Sequence, residues 1–175
     1  MLISSTINFN DYNKNQIIAA NLSRELELIK NLRDSNYKNL HKWNLISPNI
    51  QTNFDLASNY ITNGYYKVWL DYNSLSPDFS VKLDKINNFK EASFLNSDMK
   101  NYELCNDLGK YTYDCTTNKR TRFYRYLKFE PLMYKDTSTN ITIKDSYKVT
   151  SKVIWYIRGY HEINLTTILS DYKKL

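Results

Sequence analysis

Glycine is almost missing from this chain. The 175 residues include three glycines, Gly64, Gly109 and Gly159, which excludes a phosphate-cradling loop of the GxGxxG or P-loop type. Three prolines leave no proline-rich linker. The two histidines, His41 and His161, lie far apart, and no serine or cysteine near them has a nucleophile's sequence context. Asp71, Asp107 and Asp114 are scattered, and "NDLGKYTYD" lacks the spacing of a calcium loop. Cys105 and Cys115 form no CxxC and have no histidine beside them, which argues against zinc. In an exported protein they can close a disulfide over a small loop, and in a cytosolic one they stay two free thiols. No run of about 20 apolar residues is present to span a membrane. The start, "MLISSTINFNDYN", has neither the basic region nor the long apolar core of a signal peptide. These absences argue against an enzyme and imply no cofactor and no metal.

What is present is a folding composition, 42% hydrophobic and 15% aromatic with 16 tyrosines. The net charge of +6 and pI of about 9.1 favour anionic partners.

Periodicity divides the chain in three. Over residues 1–37, Ile18, Leu22, Leu26 and Ile29 recur at helical spacing, and Leu28 and Leu32 widen the stripe. This predicts a helix with one buried side that stops at "RDSN", Arg33 to Asn36. Residues 38–64 read as a long connection with Pro48 and a short helical turn around Phe54 to Tyr60. From Tyr65 to the end the pattern is that of strands. "YYKVWLDY" and "FSVKLD" are short and β-branched or aromatic, and a turn at Asn106 to Gly109 predicts a hairpin. "RFYRYLKFE" places Phe123, Leu127 and Phe129 on one face, with Arg125 the exception, and Pro131 is expected to end it. In "SYKVTSKVIWYIRG", Tyr147, Val149, Val153, Trp155 and Ile157 alternate with polar residues, Ile154 excepted. Gly159 then allows a turn into a last strand carrying Ile163 and Leu165. The expected fold is a single α+β domain, 1–175, whose helix uses Leu22, Leu26 and Ile29 to cover an antiparallel sheet of about four or more strands.

One segment stands out for binding. "NKRTRFYRYLK" interleaves Lys119, Arg120, Arg122 and Arg125 with Tyr124 and Tyr126. Cations beside aromatic rings suit phosphates and stacked bases, or anionic glycans. The same pattern also describes an ordinary strand with a basic exposed face.

"IIAANLSRELELIKNLRDSNY", Ile17 to Tyr37, resembles the segment that follows the membrane helix of bacterial type IV pilins and pseudopilins, an "AA-L-EGIE-IRN-RD-NW" pattern. Ala19, Ala20, Leu22, Glu27, Ile29, Asn31, Arg33, Asp34 and Asn36 stand at matching positions, while Arg24 and Glu25 replace the usual glutamate and glycine. The ending "VIWYIRGYHEINLTTILSDY" is similar to the family's "V-W---G---V-L-T-LTNW", through Val153, Trp155, Gly159, Leu165, Thr167 and Leu169. "LCNDLGKYTYDCT" resembles a turn common in the middle of these proteins.

The resemblance implies a pilin-like headgroup: the second half of one long helix, packed on an antiparallel sheet. It implies a structural subunit, a minor pilin or pseudopilin, of an extracellular filament serving assembly, adhesion, motility or DNA uptake. Its partners would be other pilin subunits, joined through the apolar half of the helix that this sequence lacks. It would be held in the inner membrane before assembly, with anionic surface polymers or DNA as further partners. The competing reading is a cytosolic nucleic-acid-binding α+β domain that uses the basic aromatic strand.

Overall fold

The computed structural model describes residues 2–46, 59–72, 79–89, 98–116, 119–136 and 139–172. Two helical segments, α1 (Leu2–Ser23) and α2 (Leu26–Lys38), precede seven strands. These are β1 (Gly64–Tyr72), β2 (Phe79–Ile86), β3 (Glu103–Asp107), β4 (Lys110–Thr112), β5 (Lys119–Asp136), β6 (Thr139–Tyr156) and β7 (Tyr160–Ser170). A short 3-10 turn, Asp98–Tyr102, leads into β3. The turn expected around Phe54 to Tyr60 lies largely outside the described residues.

This corrects the expected fold class. The protein is mostly antiparallel sheet, with seven strands among the described residues, and the N-terminal helix is not one long rod packed on a small sheet. Local bonding explains the helix break. The Ser23 hydroxyl donates back to the Ala20 carbonyl at 2.7 Å, a contact that bends helices. The next amides bond three residues back instead of four: Arg24 to Asn21, Glu27 to Arg24 and Leu28 to Glu25. Within the sheet, β5 and β6 each run for 18 residues. Pro131 does not end β5. It sits beyond the last β1–β5 pair, Gly64 with Phe129, and the β5–β6 register shifts between Pro131 and Met133. A proline is tolerated at such an irregular, half-paired position.

All pairings among the described residues are antiparallel. One side of β5 pairs with β6, which pairs with β7. The other side of β5 is shared by two hairpins. The β1–β2 hairpin joins at Leu127 to Phe129, and the β3–β4 hairpin joins between Lys119 and Tyr124. In β3–β4 the two loop residues, Leu108 and Gly109, have φ of 48° and 90°, the mirror-image turn that matches strand twist. The Asn106 side chain accepts the Gly109 amide at 2.8 Å.

The helices cover one face of this sheet. Leu26, Ile29 and Leu32 of α2 pack with Tyr66, Val68, Leu127, Phe129, Val149 and Leu169. Ala19 and Leu22 of α1 pack with Leu104, Phe123, Val153 and Trp155. Leu22, Leu26 and Ile29 are 4%, 2% and 1% exposed, and each such side chain contributes about 1.5–3 kcal/mol. The opposite face has its own smaller core of Tyr102, Tyr126 and Ile154, flanked by Tyr65, Phe89 and Tyr124. That second core explains why Ile154 broke the alternation in β6. The "RDSN" stop falls within α2, which runs on to Lys38. Asn36 is fully buried there, and its amide donates to the Trp43 and Leu45 carbonyls at 3.1 and 2.8 Å.

Candidate binding surface and the buried arginine

The six residues predicted to bind a polyanion do not share one surface. Lys119, Arg120 and Arg122 are exposed and Tyr124 is half-buried. Arg120 is engaged by the Glu103 carboxylate at 2.7 Å. Tyr126 is 1% exposed and lies among the rings of Tyr65 and Phe89. It therefore offers no face to a base. Arg125 is on the opposite face of β5, fully buried under the helices. What reaches solvent is a short basic corner at the start of β5, without the stacking platform the sequence pattern suggested.

Arg125 occupies the fork between the two hairpins. The β1–β5 pairing ends at Tyr66 with Leu127, and the β3–β5 pairing starts at Glu103 with Tyr124. Between them β1 turns away, and its Val68 carbonyl accepts a hydrogen bond from the Arg125 guanidinium at 2.7 Å instead. The guanidinium also donates to the Tyr113 hydroxyl at 3.1 Å, and that hydroxyl donates to the Arg125 carbonyl at 3.0 Å. A longer approach of 3.5 Å reaches the Leu22 carbonyl, where the end of α1 leaves acceptors without helical partners. Glu25, in the helix break, supplies the opposite charge.

Burial works against the charge on Arg125, but Tyr113 and Glu25 outweigh it and hold the guanidinium above its ordinary range. Burial pushes the Tyr113 hydroxyl up, so at neutral pH it is an uncharged phenol and Glu25 is the counter-charge. This cluster is full: each arm of the guanidinium has a protein partner, and the guanidinium itself is 0% exposed. It joins α1, α2, β1, β5 and the segment after β4, and it has no room for a substrate.

Cys105 and Cys115 are joined by a disulfide with their Cα atoms 5.4 Å apart. Cys105 is fully buried in β3 and Cys115 lies just past β4, so the bond ties the small hairpin to the segment that feeds β5.

A cavity of about 690 Å³ lies where α2 ends against β6 and β7. Tyr37, Trp43, Tyr60, Tyr147, Asp145 and Asp171 are among its lining residues. Several of its polar groups are already used. Tyr37 donates its hydroxyl to Asp171, and Tyr147 donates to the Ile61 carbonyl at 3.3 Å. Among the described residues no cluster of three or more histidine, cysteine, aspartate or glutamate side chains is placed to hold a metal. His161 has its ring nitrogen at 3.0 Å from the Ile157 carbonyl. It stacks on Trp155 and meets the edge of Tyr12.

No family model, curated protein or solved structure matches this chain. The likeness to pilins therefore stands on the motif residues alone. Sequence reasoning missed the Arg125–Glu25 pair, although both ends left a trace. Arg125 was the one charged residue on an apolar face, and Glu25 was one of two departures from the pilin pattern.

Proposed function

We propose that the protein is an exported structural subunit of a type IV pilus-like surface filament, of the minor-pilin or pseudopilin kind, with no catalytic role. The observation that carries this reading is the Cys105–Cys115 disulfide, since such bonds persist in oxidising compartments and are rare in the cytosol. The amphipathic helical layer and the filled Arg125 cluster agree with it, because both serve rigidity and neither opens a site. The subunit would assemble with others through its N-terminal helical side and show its sheet outside the cell, after being held at the inner membrane. Anionic polymers or DNA would meet the corner at Lys119, Arg120 and Arg122.

The cytosolic nucleic-acid-binding alternative is less favoured, since Arg125 and Tyr126 are out of reach. Fractionation of the native cell decides between them. The expected result is that the protein leaves the cell with mechanically sheared surface filaments and that its cysteines resist alkylation until reduced. Recovery in the cytosol with two alkylatable thiols would overturn the proposal.

A further inference from the structure

The sheet has one long edge without the usual protection. Among the described residues β7 pairs only with β6, in a register that runs without a shift from Ser146–Ser170 to Tyr156–Tyr160. Natural edges are usually blunted by lysine, proline, a bulge or shortness. Residues 161–170, "HEINLTTILS", contain no lysine or proline, and the strand has no bulge. Leu165 and Ile168 are 40% and 57% exposed on its two faces. The far edge, β2, carries Lys82, Asp84 and Lys85 within eight residues.

Charge argues for what docks there. Each copy carries +6, so two copies repel wherever their basic surfaces meet. The β7 edge carries one carboxylate, Glu162, already paired with Lys152 at 3.3 Å, and its other titratable side chains are Tyr160 and His161. Lys148 and Lys152 lie one strand further in, on β6, facing the same side as Glu162. An antiparallel pairing of β7 with itself, centred on Leu165, gives the longest overlap. It sets Glu162 opposite Ile168, Asn164 opposite Thr166 and Ile163 opposite Thr167. The two Glu162 residues are then six positions apart, about 20 Å at roughly 3.4 Å per residue, beyond effective repulsion at physiological salt. A two-fold axis normal to the sheet keeps both helical layers on the same side.

We infer that β7 is a homotypic docking edge, on which a second copy of this chain adds its own β7 antiparallel about Leu165. The two sheets become one continuous sheet, and the interface is closed and isologous. This stands on the edge geometry and does not depend on the filament proposal.

Equilibrium sedimentation and register-specific cross-linking test it. The wild-type chain should show a concentration-dependent dimer. Leu165→Lys sets like charges opposite each other on the axis and should weaken the dimer at least tenfold, while the circular dichroism spectrum is kept. Leu165→Cys is the safeguard against misfolding. Opposed Cα atoms lie about 4.5–5.5 Å apart, within disulfide reach, and the two native cysteines are already bonded. Mild oxidation should therefore give a covalent dimer from Leu165→Cys and none from Glu162→Cys. A wild-type chain that stays monomeric at millimolar concentration would overturn the inference. So would a dimer indifferent to Leu165→Lys, or cross-linking that is equal at both positions.

Discussion

Removing Glu25 should be far more damaging than its place in a helix break suggests. Glu25→Ala leaves the Arg125 guanidinium buried with hydrogen bonds to Val68 and Tyr113 but no counter-charge. Breaking a buried pair by deleting one partner costs about 3–5 kcal/mol. Arg125 is 0% exposed but the Glu25 side chain is 26% exposed, so water reaches part of the pair and the low end, about 3 kcal/mol, is expected. A chain of this size loses about 2–4 °C of Tm per kcal/mol, which sets the drop at about 6–12 °C. Arg125→Met should cost a similar amount for a different reason, because it strands the Val68 carbonyl and leaves Glu25 facing an apolar wall. The double variant, Glu25→Ala with Arg125→Met, removes both charges together. It should be more stable than the sum of the single effects, with a coupling of at least about 1 kcal/mol. Thermal and urea unfolding followed by circular dichroism measures all four corners of the cycle. A Glu25→Ala variant that melts within about 2 °C of wild type, on the same conversion, would refute the reasoning. So would additive single variants, since contacting residues in one network should couple.

Two further outcomes follow from the same structure. Cys105→Ala with Cys115→Ala should lower stability by about 3 kcal/mol, the value expected for a loop of roughly ten residues, and urea denaturation should show it as an earlier midpoint with the fold retained. The Glu162 carboxyl is held below its ordinary value of 4.5 by hydrogen bonds from Tyr160, Asn164 and Lys152, so its contribution is complete above that pH and fades as pH falls through the depressed value. Unfolding free energies measured from pH 6 downward should therefore decline less steeply in Glu162→Gln than in wild type, and identical slopes would contradict this.

Much of the fold was legible because burial on one face writes a period into the sequence. Ile18, Leu22, Leu26 and Ile29 showed the helical stripe, and the alternation in β5 and β6 showed strands. The pattern failed where two influences overlapped. Ile154 and Tyr126 broke or misled the alternation because a second core covers the other side of the sheet, and no period records a residue whose cover comes from a distant turn. Pro131 looked like a terminus because a proline lacks a donor, but the strand has an irregular, half-paired position there that needs none. The basic segment does not form one surface for a related reason. Adjacent strand residues point to opposite faces, so six neighbours in sequence were divided between a buried fork, a second core and an exposed corner.

By itself the sequence determined the helical stripe and the strand alternation, since local spacing and residue type settle both of these. Only the tertiary structure decided that the helix breaks at Glu25 and that Arg125 is buried at a fork. It also joined Cys105 to Cys115 and left β7 on the outside. The reason is range. Val68, Tyr113 and Glu25 are far from Arg125 along the chain and meet it only because two hairpins share one edge of β5, and no local pattern carries that pairing.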